Sequence, residues 1–194
     1  PRVLTVADVE IGKNYALVIS TNSGLWRYLI GDTVTFTSKA PHKIKITGRT
    51  RHFINVFGEE VIVDNAEKAL KIACEKTGAQ IREYTAAPVF MSRNETGTHE
   101  WIIEFDVEPN NLDLFTQELD SALCSINSDY EAKRYKGVTL KMPIVRSVAK
   151  QTYFEWMRQR GKLGGQNKVP RLSNSREYVE QLIEIDAQLR KKDI

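Results

Sequence analysis

The order in which apolar spacing changes along residues 52–146 constrains this chain more tightly than any single motif. Phe53 to Val63 is strand-like and broken at Gly58-Glu59-Glu60, and Asp64 with Glu67 three residues on has the spacing of a helix-opening capping box. Ala66, Ala69, Leu70 and Ala73 share one helical face, and Gly78 supplies the stop. Tyr84 to Met91 and Glu100 to Val107 read as two strands joined through Asn94-Glu95-Thr96-Gly97, with Trp101, Ile103, Phe105 and Val107 on one side of the second. Leu112, Phe115, Leu119, Ala122, Leu123 and Ile126 return to helical spacing, and Val138, Leu140, Met142 and Ile144 alternate as a last strand. The order β-α-β-β-α-β predicts a split sandwich of α+β class with both helices on one face of its sheet.

The sequence before it is all strand and turn. Tyr15 to Ser20 is short, apolar and β-branched, the pattern of a strand buried on both faces. Thr21-Asn22-Ser23-Gly24 makes a turn, Leu25 to Ile30 returns, and Thr33 to Thr37 alternates with Val34 and Phe36 on one side. This small antiparallel unit has too few strands for a sound core of its own, so it is expected to lean on a part that the sequence does not include. After the sandwich, residues 150 to 160 look helical, with Tyr153, Phe154, Trp156 and Met157 as an aromatic-rich face. A last helix from about Ser173-Asn174 carries Tyr178, Leu182, Ile185 and Leu189 at core spacing.

Several function classes fall away on composition. The net charge of +3 is too small to argue for nucleic acid. The polar residues of the strand Glu100-Trp101-Ile102-Ile103-Glu104-Phe105-Asp106 are acids that would repel phosphate on an RNA-binding sheet. Signal peptide and membrane-length apolar run are both absent from the sequence. Cys74 and Cys124 fall within helical patterns without metal spacing, as buried thiols of a reducing, cytoplasmic compartment do. His42, His52 and His99 sit in turns or at strand starts with no spacing for a metal or a triad. Glu59 and Glu60 read as a solvated turn, or as a site near a hinge.

Chemistry concentrates in two stretches. Between Gly24 and Gly58, two strand patterns end on a glycine beside a charge, at Gly31-Asp32 and Gly48-Arg49. Glycine there lets backbone turn tightly or approach a ligand, although hairpin turns with solvated charges have the same look. The second stretch is Arg160-Gly161-Lys162-Leu163-Gly164-Gly165-Gln166-Asn167-Lys168-Val169-Pro170-Arg171, glycine-rich, basic and without an acid. Such a loop can fold over a phosphate, offering amides and a lysine point charge, and a solvated linker can share its composition. It lacks the Walker spacing.

Taken in order, Gly24-Leu25-Trp26-Arg27-Tyr28, Gly31-Asp32, Gly48-Arg49 and Gln166-Asn167-Lys168-Val169-Pro170-Arg171-Leu172-Ser173-Asn174 resemble the Gretchen Hagen auxin-responsive family of acyl-acid amido synthetases, within the adenylate-forming superfamily. The likeness runs along essentially the whole chain and covers the C-terminal third or so of a family member. Leu29 stands where the family's tyrosine-arginine-x-glycine-aspartate motif has arginine, so that arginine has no counterpart here. The resemblance implies a ligase that uses ATP and Mg²⁺ to turn a carboxylic acid into an acyl-adenylate and passes the acyl group to an amine, such as an amino acid, or to a thiol. It implies a last β subdomain of a large adenylating domain at 1–47, a hinge at 48–51 and a mobile C-terminal cap at 52–194. Asp32 would accept the ribose hydroxyls, Tyr28 would border the nucleotide, and Arg49 would meet phosphate or ribose. Lys168 would reach the α-phosphate and the substrate carboxylate, with Lys162 an equally basic alternative. The family's Ser/Thr/Gly-rich phosphate loop is not found in this sequence, so the partner it implies is the N-terminal large domain, and the 194 residues alone are expected to be inactive. The competing expectation is a non-catalytic small-molecule-binding or interaction module of the same ferredoxin-like shape.

Overall fold

The computed structural model describes residues 3–49, 53–91, 96–137, 139–164 and 167–192. His52, the hinge residues Thr50 and Arg51, the turn residues Asn94 and Glu95, Val138, and Gly165-Gln166 lie outside the described residues, as does the side chain of Arg49.

Three strands make the first unit: β1 (Asn14–Ile19), β2 (Tyr28–Lys39) and β3 (His42–Arg49), antiparallel in that order. Val34 and Phe36 are buried side by side as their alternation requires, with Val9, Tyr15 and Leu17 against them. β1 departs from expectation, alternating between exposed and half-buried residues, with Val18 45% exposed. With no layer on its far side among the described residues, only one of its faces finds apolar partners. Gly31-Asp32 also departs from expectation. It lies inside β2 rather than at a strand end, and Leu17 alone spans the gap between the pairs Ala16–Thr33 and Val18–Leu29. The surplus residues on β2 form a bulge that Gly31, at φ 88°, permits.

The segment after residue 52 is a two-stranded ladder of its own, β4 (Phe53–Ile54) with β5 (Val61–Ile62), rather than a fourth strand of the main sheet. Helix α1 (Val63–Thr77) begins directly on β5, one residue before the expected Asp64. The side chain that reaches back is Asn65, whose Oδ1 accepts from the Ile62 N–H at 3.2 Å, so the expected Asp64–Glu67 box does not form. Gly78, at φ 72°, ends the helix as read, its N–H donating to the Cys74 carbonyl. Strands β6 (Gln80–Met91) and β7 (Thr96–Val107) form a long antiparallel pair, and β8 (Ile144–Val148) joins β7 in parallel. The last strand thus starts where the alternation of Leu140 and Met142 was expected to end. Leu140 makes a single bridge to Gly97 and is fully buried. Between β7 and β8 run α2 (Leu112–Ile126), capped by the Asn111 side chain, and α3 (Ser128–Arg134), capped by Asn127.

Alternation along β7 decides the layers. Trp101, Ile103 and Phe105 turn to α1 and α2, where they join Ala66, Leu70, Phe115, Leu119 and Leu123 in the main core. Both of these helices therefore lie on one face, as the periodicity predicts. The other face is not solvated. Ile102, with Ala87 and Val148, meets α4 (Thr152–Gln159) and α5 (Glu177–Lys192) through Tyr153, Trp156, Met157, Val179, Leu182 and Ile185. Each such fully buried side chain contributes about 1.5–3 kcal/mol, enough to hold two C-terminal helices as a third layer. Phe154, expected with the buried aromatics, is 52% exposed. Glu100 and Glu104 are buried under this layer rather than exposed to solvent: Glu100 takes Arg146 and Arg176, and Glu104 accepts from the backbone N–H groups of Gln151 and Tyr153. Cys74 and Cys124 are free, half-buried thiols that burial makes harder to ionise. No helix among the described residues is long and apolar enough to cross a membrane.

Candidate functional site

A cleft of about 1010 Å³ opens where the first β unit meets the three-layer domain. Its lining takes Asp32, Ile46 and Gly48 from β2 and β3, and Lys162, Leu163 and Lys168 from the basic loop. Its floor is the first turn of α4 with the outer ends of β6 and β7.

On the β-unit side, the bulge at Gly31 determines where Asp32 points, and Asp32 pairs with Arg49 across the β2–β3 ladder. Behind them Thr33 Oγ1 and Thr47 Oγ1 lie 3.1 Å apart, and the Thr47 hydroxyl donates to Asn14 Oδ1 at 2.5 Å. This buried polar cluster fixes the three strands against one another. Lys45 Nζ reaches Asp64 Oδ1 at 2.9 Å and ties β3 to α1. Burial would raise the Asp64 carboxyl, but Lys68 and Lys45 outweigh it and hold the group below its ordinary range.

On the opposite side the loop is fastened at its far end by backbone. Thr85 Oγ1 donates to the Pro170 carbonyl, Ala86 N–H to the Arg171 carbonyl, and Ser173 N–H to the Ala86 carbonyl, so residues 170–173 run along the edge of β6. Arg171 is spoken for, paired with Glu83 at 2.5 Å and stacked 4.7 Å over the Tyr84 ring. The Tyr84 hydroxyl, donating to Glu67, is pushed up by burial and then by that carboxylate. Arg82 is similarly paired with Asp106. Among the described residues neither Lys162 nor Lys168 is in an ion pair, so both ammonium groups remain available to an anion in the cleft. Exposed Phe154 and Leu163 supply apolar surface beside them.

The structure therefore brings together Asp32, Lys168 and the alternative Lys162, which are far apart in sequence. Tyr28, half exposed at the start of β2, does not line this cleft, and Arg49 ends β3 with its side chain outside the described residues. Sequence reading missed Glu104, whose buried carboxylate holds the N-terminus of α4 against the cleft floor. Its alternation with Ile102 was the available signal, since an acid in phase with a strand's buried position needs partners. It also misread Glu59, which is buried and receives His99 Nε2 at 2.8 Å together with the Val56 and Phe57 N–H groups.

An α+β domain with a charged cleft at its junction with a small β unit is the class this geometry defines. Residues 64–177 match the model of the GH3 family C-terminal domain, and residues 1–49 that of the GH3 family central domain. The chain belongs to the GH3 family. It is 27% identical over 186 residues to indole-3-acetic acid-amido synthetase GH3.4 of Arabidopsis thaliana, covering 87% of this chain and 30% of that protein. It is 33% identical over 91 residues to probable indole-3-acetic acid-amido synthetase GH3.2 of Oryza sativa subsp. japonica, covering 46% of this chain and 14% of that protein. The fold matches the solved GH3.15 acyl acid amido synthetase with a TM-score of 0.71 at 21% identity, over 95% of this chain and 35% of that one. The chain thus spans about 30% of the length of curated relatives such as GH3.4.

Proposed function

We propose that this chain works as the C-terminal portion of an ATP-dependent acyl-acid amido synthetase, in which a large N-terminal domain completes the site. The reaction begins with attack of a substrate carboxylate oxygen on the α-phosphorus of ATP. The α–β phosphoanhydride bond breaks, pyrophosphate leaves, and an acyl-adenylate remains. An amine nitrogen, that of an amino acid, or a thiol sulfur then attacks the acyl carbon. AMP departs with the electron pair of the C–O bond, and the nucleophile gives up a proton.

The observation that carries this reading is that Asp32 and Lys168 line one cleft while Lys162 and Lys168 are in no ion pair among the described residues. A nucleotide suits such a place: ammonium groups for the phosphates, a carboxylate for the ribose, and Phe154 and Leu163 as apolar surface. The Asp32 carboxylate has two oxygens for two neighbouring hydroxyls, each charge-assisted bond being worth about 1.5–3 kcal/mol. Arg49 would serve the nucleotide from the end of β3, and Tyr28, which does not line the cleft, would border it from outside at the start of β2. Mg²⁺ would ride on the phosphate oxygens, since Glu83 and Glu104 in the cleft are already engaged by Arg171 and by α4. Lys168 would aim a positive charge at the phosphate and carboxylate oxygens as charge shifts between them, an effect worth about 3–4 kcal/mol. Residues 48–51 would let the cap turn on the β unit between the two half-reactions.

ATP–pyrophosphate exchange by the full-length protein tests the reading. Asp32→Ala is expected to weaken ATP binding, and Lys168→Ala to slow exchange by about 10²–10³-fold. If both variants, made separately, keep wild-type exchange, the reading is wrong.

A further inference from the structure

Between α4 and the β6 edge, the lysine-bearing loop has two attachments of different kinds. Its far end is held by the backbone bonds of Arg171 and Ser173 to Ala86. Its near end leaves α4 through Gly161 at φ 63° and continues through Gly164 at φ 79°, conformations that glycine adopts freely and that give the loop little stiffness of its own. What stands at that exit is Arg160. Its guanidinium carbon lies 4.4 Å from the Trp156 ring centroid and 4.8 Å from that of Tyr178. The rings themselves meet edge to face at 5.6 Å, and Trp156, fully buried, donates from Nε1 to Gln181 on α5. Arg160 therefore sits in the corner that the two rings make at the α4–α5 seam, outside the cleft that its neighbours line.

We infer that Arg160 is a positioning residue: its stack on Trp156 and Tyr178 fixes the near end of the loop and with it the aim of Lys168 into the cleft. The inference rests on the proposed role of Lys168. A guanidinium suits the place because its broad, delocalised charge lies within 4.8 Å of both ring centroids at once, which the point charge of a lysine cannot reproduce as well. Beyond the stack, the Gly161 N–H donates to the Arg158 carbonyl and the Lys162 N–H to the Met157 carbonyl, bonds that hold only while α4 keeps its last turn. With both ends fixed, Gly161 and Gly164 have fewer ways to carry Lys168 away from Asp32. With the near end released, the same ammonium samples many positions, and the time it spends aimed correctly falls.

The test is a double-mutant cycle in the full-length protein, reading ATP–pyrophosphate exchange with kcat and KM separated and Tm recorded for each variant. Arg160→Ala is expected to lower kcat about tenfold while KM for the carboxylic acid stays within about twofold. In a Lys168→Ala background, measured on residual exchange at high enzyme concentration, Arg160→Ala is expected to add nothing. Tyr178→Leu, which keeps apolar volume and removes one face of the stack, should reproduce the kcat loss and serves if Arg160→Ala does not fold. An unchanged kcat in Arg160→Ala and Tyr178→Leu, beside a Lys168→Ala enzyme that has lost exchange, overturns this inference alone. So does a loss from Arg160→Ala that is as large without Lys168 as with it. A Lys168→Ala enzyme with full exchange overturns the role of the lysine itself, and the positioning role falls with it.

Discussion

Glu59 Oε1 lies 2.8 Å from His99 Nε2, with both side chains closed off from solvent. The carboxylate also accepts from the Val56 and Phe57 N–H groups, and the Glu59 carbonyl accepts from Asn127 Nδ2. One residue thus closes the turn between β4 and β5 and fastens it to β7 and α3. Burial alone would raise its pKa, but the His99 bond and the two backbone donors outweigh burial and hold the group below its ordinary 4.5. A depressed folded pKa gives stability that is present above the unfolded value and lost as pH falls through the folded one. Glu59→Gln is expected to cost about 2–4 kcal/mol at neutral pH and to flatten the loss of stability below pH 4.5. Urea unfolding of both proteins on either side of that pH checks it, and parallel acid limbs would refute the assignment.

A second buried network holds α2 to α3. Arg134 forks onto Asp120, with Nε to Oδ1 at 2.7 Å and Nη2 to Oδ2 at 2.6 Å, and its Nη1 donates to the Leu140 carbonyl. Tyr130 donates its hydroxyl to the same Asp120 Oδ1 at 2.8 Å, and burial, then the carboxylate, keeps that hydroxyl protonated. Arg134→Ala strands a largely buried carboxylate and is expected to cost about 3–5 kcal/mol. Tyr130→Phe leaves the fork intact and is expected to cost about 1 kcal/mol. Equal losses in thermal unfolding would show that the fork is not what holds Asp120.

Two glycines that share strand geometry should respond unequally to alanine. A Cβ on Gly97 would come 2.6 Å from Val56 Cγ1 and 2.8 Å from the Val89 carbonyl oxygen, and the second of these is backbone that cannot step aside. On Gly48 the nearest atom would be Thr33 Oγ1 at 3.5 Å, an ordinary contact. Gly97→Ala is therefore expected to destabilise by about 1–3 kcal/mol, and Gly48→Ala to change stability by less than about 0.5 kcal/mol. Denaturant midpoints of the two variants decide the contrast.

These cases show what periodicity carries and what it leaves out. The helical faces of α1 and α2 and the inward side of β7 as far as Phe105 could be read because each sets a repeat that one buried surface enforces, whereas Val107, at the strand's end and beyond that surface, is 46% exposed. The second face could not be read so easily. Glu100 and Glu104 look like solvent positions until Arg146, Arg176 and the α4 N-terminus are brought over them, and those partners come from elements far along the chain. The bulge at Gly31 was hidden for a similar reason, because the two surplus residues appear only when Leu17 is set opposite Ile30, Gly31 and Asp32. Glu59 was read as solvated because its partner His99 comes from a different strand. At the cleft, the family resemblance suggested Asp32 and Lys168, but their meeting depends on residues 170–173 lying along β6, which no local pattern announces.

Lys162 and Lys168 line the same cleft, and the proposed function gives them different duties. Lys162 follows α4 directly, beside Gly161 and the exposed Leu163, and its backbone N–H is bonded to the Met157 carbonyl. Lys168 precedes Val169-Pro170, where the Pro170 carbonyl is fastened to Thr85 on β6. Charge stabilisation of a transition state depends on where the ammonium stands relative to the reacting phosphate, whereas attraction of a polyanion needs only a cation nearby. Lys168→Ala is therefore expected to reduce kcat for ATP–pyrophosphate exchange by about 10²–10³-fold with little change in KM for ATP. Lys162→Ala is expected to raise KM for ATP by less than about tenfold and to leave kcat near wild type, with the KM effect shrinking as salt is added. If the kcat loss falls on Lys162→Ala instead, the transition-state role belongs to the end of the loop next to α4.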